Sequence, residues 1–289
     1  MKMKIIISPA KKMNNDPDLL QFRDYPVFLE KTEILMDWIR SLSYEEAKRV
    51  WKCNDKIAEQ NFDRFARMDL KKNLTPAILS YEGIQYQYMA PAVFEEKAVD
   101  YIQEHLRILS GFYGVLKPLD GVTPYRLEMQ AKIPEGESKI GAKDLYAFWG
   151  RTICDEVLRD ERAALNENNG RDGHNGHDGR NGHNGTKKDR TNTIINLASK
   201  EYSRCVEAYL GPEDRFLTCV FGELSDGKVK QKGTFAKMAR GEMVRFLAQR
   251  QAEDPEEMKA FDRLGYRFSQ EYSSENEYVF LKEEREGDK

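Results

Sequence analysis

The chain offers its first chemistry at Ser8-Pro9-Ala10-Lys11-Lys12, a hydroxyl and two ammonium groups directly behind an isoleucine-rich run. Ligands of open α/β sheets gather beyond the carboxyl ends of strands, and this combination suits a phosphate or a carboxylate there. The segment 106–118, LRILSGFYGVLKP, carries Gly111 and Gly114 three apart among apolar neighbours. Such spacing can make a tight hairpin whose amide groups bind phosphate oxygens without needing net charge. That is the logic of a helix-hairpin-helix element; a helix cap packed into the core is the alternative. Pro118 fits poorly inside a long second helix.

Further along, Arg126 and Glu128 fall on one side of an alternating stretch behind Tyr125, where they can pair or line a cleft. Lys143 and Asp144 open a helix rich in core aromatics (Tyr146, Phe148, Trp149). Asn196-Leu197-Ala198-Ser199 runs from a strand end into a helix, with Ser199 placed as a cap and Asn196 and Tyr202 able to face a ligand. From 228 to 245 six cations stand against Glu242 alone, a local +5 in a chain of net charge −3. Lys237 and Arg240 share one helical face there. Gly241 inside that helix costs about 1 kcal/mol against Ala, which points to close approach by backbone or ligand. One pocket drawing on Ser8, Lys11, Glu128, Asp144, Asn196, Ser199 and Tyr202 would hold more hydrogen-bonding variety than backbone binding needs, and would suit an enzyme acting on a nucleotide or damaged base.

Positioning these groups takes a mixed α/β fold, a mixed sheet surrounded by helices. The residues at 2–8 read as a buried strand, those at 27–42 as a helix with an apolar stripe. Ser43 and Glu46 have capping-box spacing, and Asn54 caps the next helix. Further expectations are a strand at 76–81, a helix at 91–109, a strand at 123–133 and a helix at 143–158. A strand at 193–198 follows, then a hairpin turning at Ser225-Asp226-Gly227, a helix at 236–251, a helical stretch at 255–264 and two closing strands near Arg267 and Tyr278.

Between Leu165 and Ile194 there is no apolar residue, and glycine recurs every third position from Gly170 to Gly185. Without proline or length this is no collagen, and such a segment cannot bury enough surface to offset its chain entropy. Residues 166–192 therefore read as a solvated, disordered insert in an otherwise single domain of 1–289. It holds His174, His177 and His183, but without fixed geometry these do not make a tight metal site. His105, the one histidine elsewhere, sits among apolar neighbours in a structural role.

Composition sets the outer bounds. Forty-six Lys and Arg against 49 Asp and Glu exclude a generally cationic chromatin-like protein. No apolar run approaches a membrane span, and MKMKIIIS has too short an apolar core for a signal peptide. Cys53, Cys154, Cys205 and Cys219 share no metal-ligand spacing and read as thiols in a reducing cytoplasm. A Walker loop, G-x-G-x-x-G, H-E-x-x-H and a nucleophile elbow are all missing.

In order, ISPAK, LRILSGFYGVLKPLDGVTPYRLEM, KDLYAFWG, INLASKEY and FAKMARGEMVRF resemble the peroxide stress protein YaaA family from Met3 to about Phe280, sparing the insert. The resemblance implies a bacterial, cytosolic DNA-binding protein of the hydrogen peroxide response that limits damage from free iron. It implies no cofactor or metal, no membrane and no obligate protein partner, and DNA read by shape more than sequence. By position it places the helix-hairpin-helix turn at Ser110, Gly111 and Gly114, and a basic cleft at Lys11, Arg107, Arg126, Lys143, Lys237 and Arg240. The chain departs from the family at the insert and at Met238, where a lysine is common. Deleting 166–192 should leave the melting midpoint and DNA affinity nearly unchanged; a large loss in either, by calorimetry or filter binding, would show the insert to be part of the working structure.

Overall fold

The computed structural model describes residues 3–18, 20–133, 140–159 and 192–283. Its organising strand is β1 (Met3–Ile7), in which Ile5, Ile6 and Ile7 are fully buried. A parallel strand covered on both faces needs no polar alternation, and this explains the unbroken isoleucine run. β1 pairs in parallel with β5 (Leu106–Ser110) on one side, Ile5 opposite Leu106, and with β8 (Asn192–Leu197) on the other, Ile5 opposite Ile195. β8 pairs in parallel with β9 (Asp214–Ser225), and β9 with β12 (Glu277–Lys282). Antiparallel strands close both ends: β6 (Gly114–Leu116) on β5 and β11 (Tyr266–Phe268) on β12. The order is β11-β12-β9-β8-β1-β5-β6, with β10 (Lys228–Lys230) attached to β9. Two small ladders flank this sheet, β2 (Lys12–Met13) with β4 (Tyr81–Glu82) and β3 (Thr75–Pro76) with β7 (Gly121–Val122).

The chain runs from β1 to β5 on one flank, then returns to β8 on the other. The loops leaving β1 and β8 therefore part company at a topological switch point, where such sheets open a crevice. Helices pack around the sheet: α1 (Leu29–Arg40), α2 (Tyr44–Trp51), α3 (Asp55–Arg67), α4 (Ala77–Ser80), α5 (Ile84–Met89), α6 (Glu96–His105), α7 (Leu145–Trp149), α8 (Thr152–Val157), α9 (Lys200–Glu207) and α10 (Gly233–Arg250). Ser43 forms the expected capping box with Glu46, and the Asn54 side chain accepts from the Ile57 amide. The β9–β10 turn has positive φ at Asp226 and Gly227, the type I′ geometry its sequence calls for.

Several expectations need correction. The helix expected over 91–109 ends at His105, and Leu106–Ser110 becomes β5 because it pairs with Ile5–Ile7 and is buried throughout. With β6 it forms a β-hairpin, so this segment is not a helix-hairpin-helix element. Residues 123–133 alternate in burial as expected, yet lie outside every named strand; only Lys132 makes an isolated bridge, to Asp144. The helix expected over 143–158 breaks into α7 and α8 at Gly150, whose φ is 50°. Of the strand expected over 76–81 only the ends are strand, Pro76 in β3 and Tyr81 in β4, with the short helix α4 between them, while the expected helical stretch at 255–264 is 3-10 helix, Pro255–Ala260 and Arg263–Gly265. The insert lies outside the described residues except for Asn192, which is already the first residue of β8 and donates to Asp214 Oδ1.

His105 is structural, as read: its Nδ1 lies 2.8 Å from the Met3 carbonyl, and its ring stacks on Tyr101. None of the four cysteines forms a disulfide. Among the described residues no helix is long and apolar enough to cross a membrane.

Gly241 answers to backbone, not ligand. A Cβ built there would stand 2.1 Å from the Gln85 carbonyl oxygen, because α5 lies directly against α10. Relief would require two packed helices to part. Gly241→Ala should therefore lower the unfolding free energy by about 2–3 kcal/mol in urea titrations, despite Ala's better helix propensity. Unchanged stability would mean that the two helices do not meet there.

Candidate functional site

β1 ends at Ile7, and Ser8 stands at the switch point. The Ser199 amide donates to Ser8 Oγ at 2.8 Å, and the two hydroxyls lie 3.2 Å apart. Ser199 holds the N-cap position of α9 without a side-chain cap bond, its hydroxyl turned to Ser8 instead. Tyr86 on α5 donates its hydroxyl to the Ser8 carbonyl at 2.9 Å. Three elements distant in sequence are thereby tied around one point.

The cleft opening here has a volume of about 360 Å³. Ser8, Lys11 and Lys12 supply one wall, and Glu82, Gly83, Gln85 and Tyr86 another. Arg126 and Glu128 come from the extended stretch, Ser199, Glu201 and Tyr202 from α9, and Lys237 and Arg240 from α10. Eight residues singled out from sequence thus meet: Ser8, Lys11, Arg126, Glu128, Ser199, Tyr202, Lys237 and Arg240.

Its electrostatics run from paired to orphaned. Glu128 accepts from Lys11 at 2.8 Å and from Arg126 at 2.9 Å, and Lys12 pairs with Glu82. Lys11 and Lys12 are largely exposed, with side chains 66 % and 79 % accessible, so these pairs hold them weakly. Arg240 is different: its Nε is buried without a hydrogen-bond partner, and burial lowers its pKa. Among the described residues no carboxylate pairs with it. Burial also raises the Glu201 pKa, opposed by the Gln130 amide that bonds it. The Tyr202 hydroxyl is held protonated by burial.

Behind the cleft wall lies a buried tyrosine relay. Tyr125 OH sits 2.6 Å from Ser110 Oγ and 2.8 Å from Tyr81 OH. Ser110 is fully buried and its Oγ accepts from the amides of Phe112 and Tyr113. Gly111 packs on the Leu127 carbonyl, and Gly114, at φ 75°, faces the Trp149 ring. The expected phosphate contacts at Ser110, Gly111 and Gly114 are therefore corrected: these residues are buried and the amides after Ser110 are already bonded within the turn.

Four more expected residues stand elsewhere. Lys143 is exposed outside the cleft, and Asp144 caps α7 by accepting from Ala147 N at 2.7 Å. Asn196 is buried beneath the switch point, accepting from Ala198 N and donating to Thr218 Oγ1. Arg107, 3 % exposed, donates to the carbonyls of Gln103, Glu104 and Leu106. It lines a separate cavity of about 240 Å³ with Asp24, Lys117, Asp120 and Arg159, so it is no part of the cleft. Conversely, Glu82, Gln85, Tyr86 and Glu201 line the cleft without having been singled out. The polar residues of YEGIQY were the available signal for three of them.

Comparison with known proteins shows the family of this chain. The family model described as "Peroxide stress protein YaaA" matches residues 3–272. A UPF0246 protein of Agathobacter rectalis is 51 % identical over 278 residues, covering 96 % of this chain and 98 % of that protein. One of Lachnoclostridium phytofermentans is 50 % identical, covering 98 % and 97 %, and one of Desulfitobacterium hafniense 48 %, covering 97 % and 98 %. The chain belongs to the peroxide stress protein YaaA family.

In the separate cavity, burial pushes the Asp120 pKa up to about 7, against a partial stabilisation of its charge by the Lys117 amide. Between the ordinary aspartate range and about 7 the folded protein holds a proton that the unfolded chain lacks, so stability falls as pH rises through that window. Asp120→Asn should flatten this slope and match or exceed the parent in unfolding midpoint at mildly alkaline pH. A parent whose midpoint rises over the same window would contradict a buried, proton-holding Asp120.

Proposed function

We propose that this peroxide stress family member binds DNA through the cleft, with its exposed cations on the phosphate backbone. The observation that carries this is the gathering of Lys11, Lys12, Arg126, Lys237 and Arg240, from three distant stretches of sequence, around one concavity. Neutralising phosphates releases condensed counterions, and that term supplies affinity without base contacts. A protein of net charge −3 can do this because the cations are local. Occupying phosphates with fixed cations also displaces ferrous ions from the DNA surface, where peroxide would otherwise be cleaved to radicals beside the strand. That is a physical route by which cleft binding limits iron damage without requiring the protein to bind iron.

A second reading, an enzyme acting on a nucleotide in the same cleft, is favoured by the meeting there of Ser8, Lys11, Glu128 and Tyr202. Against it, Asp144 and Asn196 are engaged in structural bonds elsewhere.

Filter binding of duplex DNA against salt tests the first reading. Log affinity should fall linearly with log salt, and Lys237→Ala with Arg240→Ala should reduce the slope by about 1–2 and weaken binding roughly tenfold or more. Affinity indifferent to salt, or unchanged by the double substitution, would overturn it. Altered nucleotides in a chromatographic digest of the recovered DNA would move the assignment to the enzyme.

A further inference from the structure

The cleft grades from an exposed rim to a buried floor, and three donor atoms of its lining, Gln85 Nε2, Arg126 Nε and Arg240 Nε, are buried without a hydrogen-bond partner among the described residues; Arg126 is engaged with Glu128 through its Nη2, which leaves Gln85 and Arg240. Gln85 is 7 % exposed, lines the cleft, and its Nε2 is buried without a hydrogen-bond partner among the described residues. Arg240 Nε is in the same condition on the same cleft. The Gln85 backbone carbonyl packs against Gly241, the residue after Arg240, so the two residues stand on adjoining helix surfaces at this cleft. Two orphaned buried donors cost free energy in the empty protein, and an acceptor-rich ligand relieves both.

Resting on the DNA reading above, we infer that this floor seats a terminal phosphate, that of a phosphomonoester at a DNA strand end or on a free nucleotide. Charge and shape both favour the monoester over an in-chain phosphodiester. Five cations and three carboxylates line the cleft, leaving two positive charges. A phosphomonoester carries close to two negative charges at neutral pH, a diester one. An in-chain phosphate would also drag two sugars below the rim of a cavity sized for one small ligand. A terminal phosphate brings only one, and offers three free oxygens to Gln85, Arg240 and Lys237.

The test uses the full-length protein and fluorescence anisotropy with short duplexes differing only in a terminal phosphate or hydroxyl. The phosphate should raise affinity about tenfold or more, as expected for relieving two buried donors with a charged acceptor. Gln85→Met, close in volume and without a donor, should erase most of that gain, read as the ratio of phosphate-ended to hydroxyl-ended affinity within the variant. Inorganic phosphate should erase the same gain in the unsubstituted protein, so the outcome does not depend on the variant folding. Thymidine monophosphate against thymidine separates the two sources: a preference for the monophosphate as large as that for phosphorylated ends assigns the seat to the phosphate group alone. Salt-dependent binding equal for both ends, or a gain that survives both Gln85→Met and inorganic phosphate, overturns this inference and leaves backbone binding standing. Loss of duplex binding with thymidine monophosphate still preferred overturns backbone binding and upholds the seat.

Discussion

Everything else in the molecule hangs on β1 being held in parallel from both sides. Pairing Ile5–Ile7 with β5 on one flank and β8 on the other demands long crossovers, because parallel neighbours cannot be joined by a tight turn. Those crossovers are α1 to α6 on one side and α7 and α8 on the other. Once they are in place, the residues after β1 and β8 have no strand continuing beyond them, and the bond from Ser199 N to Ser8 Oγ marks their meeting. A short run of isoleucine therefore decides where the cleft must be, although none of the isoleucines touches it.

The electrostatic arrangement follows from depth. Near the solvent, lysines meet carboxylates in pairs that water screens, so they remain available to a stronger anion. Deeper in, Arg126 keeps Glu128 company at 2.9 Å, and Arg240 has no carboxylate partner among the described residues. A guanidinium tolerates such burial because it stays charged where an ammonium would give up its proton. Residue type thus tracks position: lysine outside, arginine inside.

Much of the outer frame was legible in the sequence, because caps and apolar runs are local signals. Ser43, Asn54 and the Asp226-Gly227 turn specify their geometry within four residues, and the structure keeps all of them. The failures came where tertiary pairing overrode local pattern. Leu106–Ser110 carries a helix's apolar density, yet β1 captures it as a strand. Gly111 and Gly114 looked like open backbone; they are glycines because Leu127 and Trp149 leave no room for a Cβ. Glycine spacing alone cannot distinguish an approaching phosphate from an approaching side chain. In the cleft, Lys237 and Arg240 were visible as charge, whereas Gln85 showed only as one polar residue of YEGIQY. That a buried amide lacks a partner is a property of the packing, which local sequence does not carry.

Because β1 and β8 run in parallel with the cleft at their carboxyl ends, the 160–191 stretch joins β8 at its opposite, amino-terminal end. A six-residue strand separates the junction from the site by about 20 Å. Arg159, the last described residue before that stretch, lines the cavity shared with Arg107, not the cleft. The junction of 160–191 with β8 and the cleft thus stand at opposite ends of that strand. The junction is a natural docking port for a fused reporter or surface tether, held a strand's length from whatever the cleft is binding.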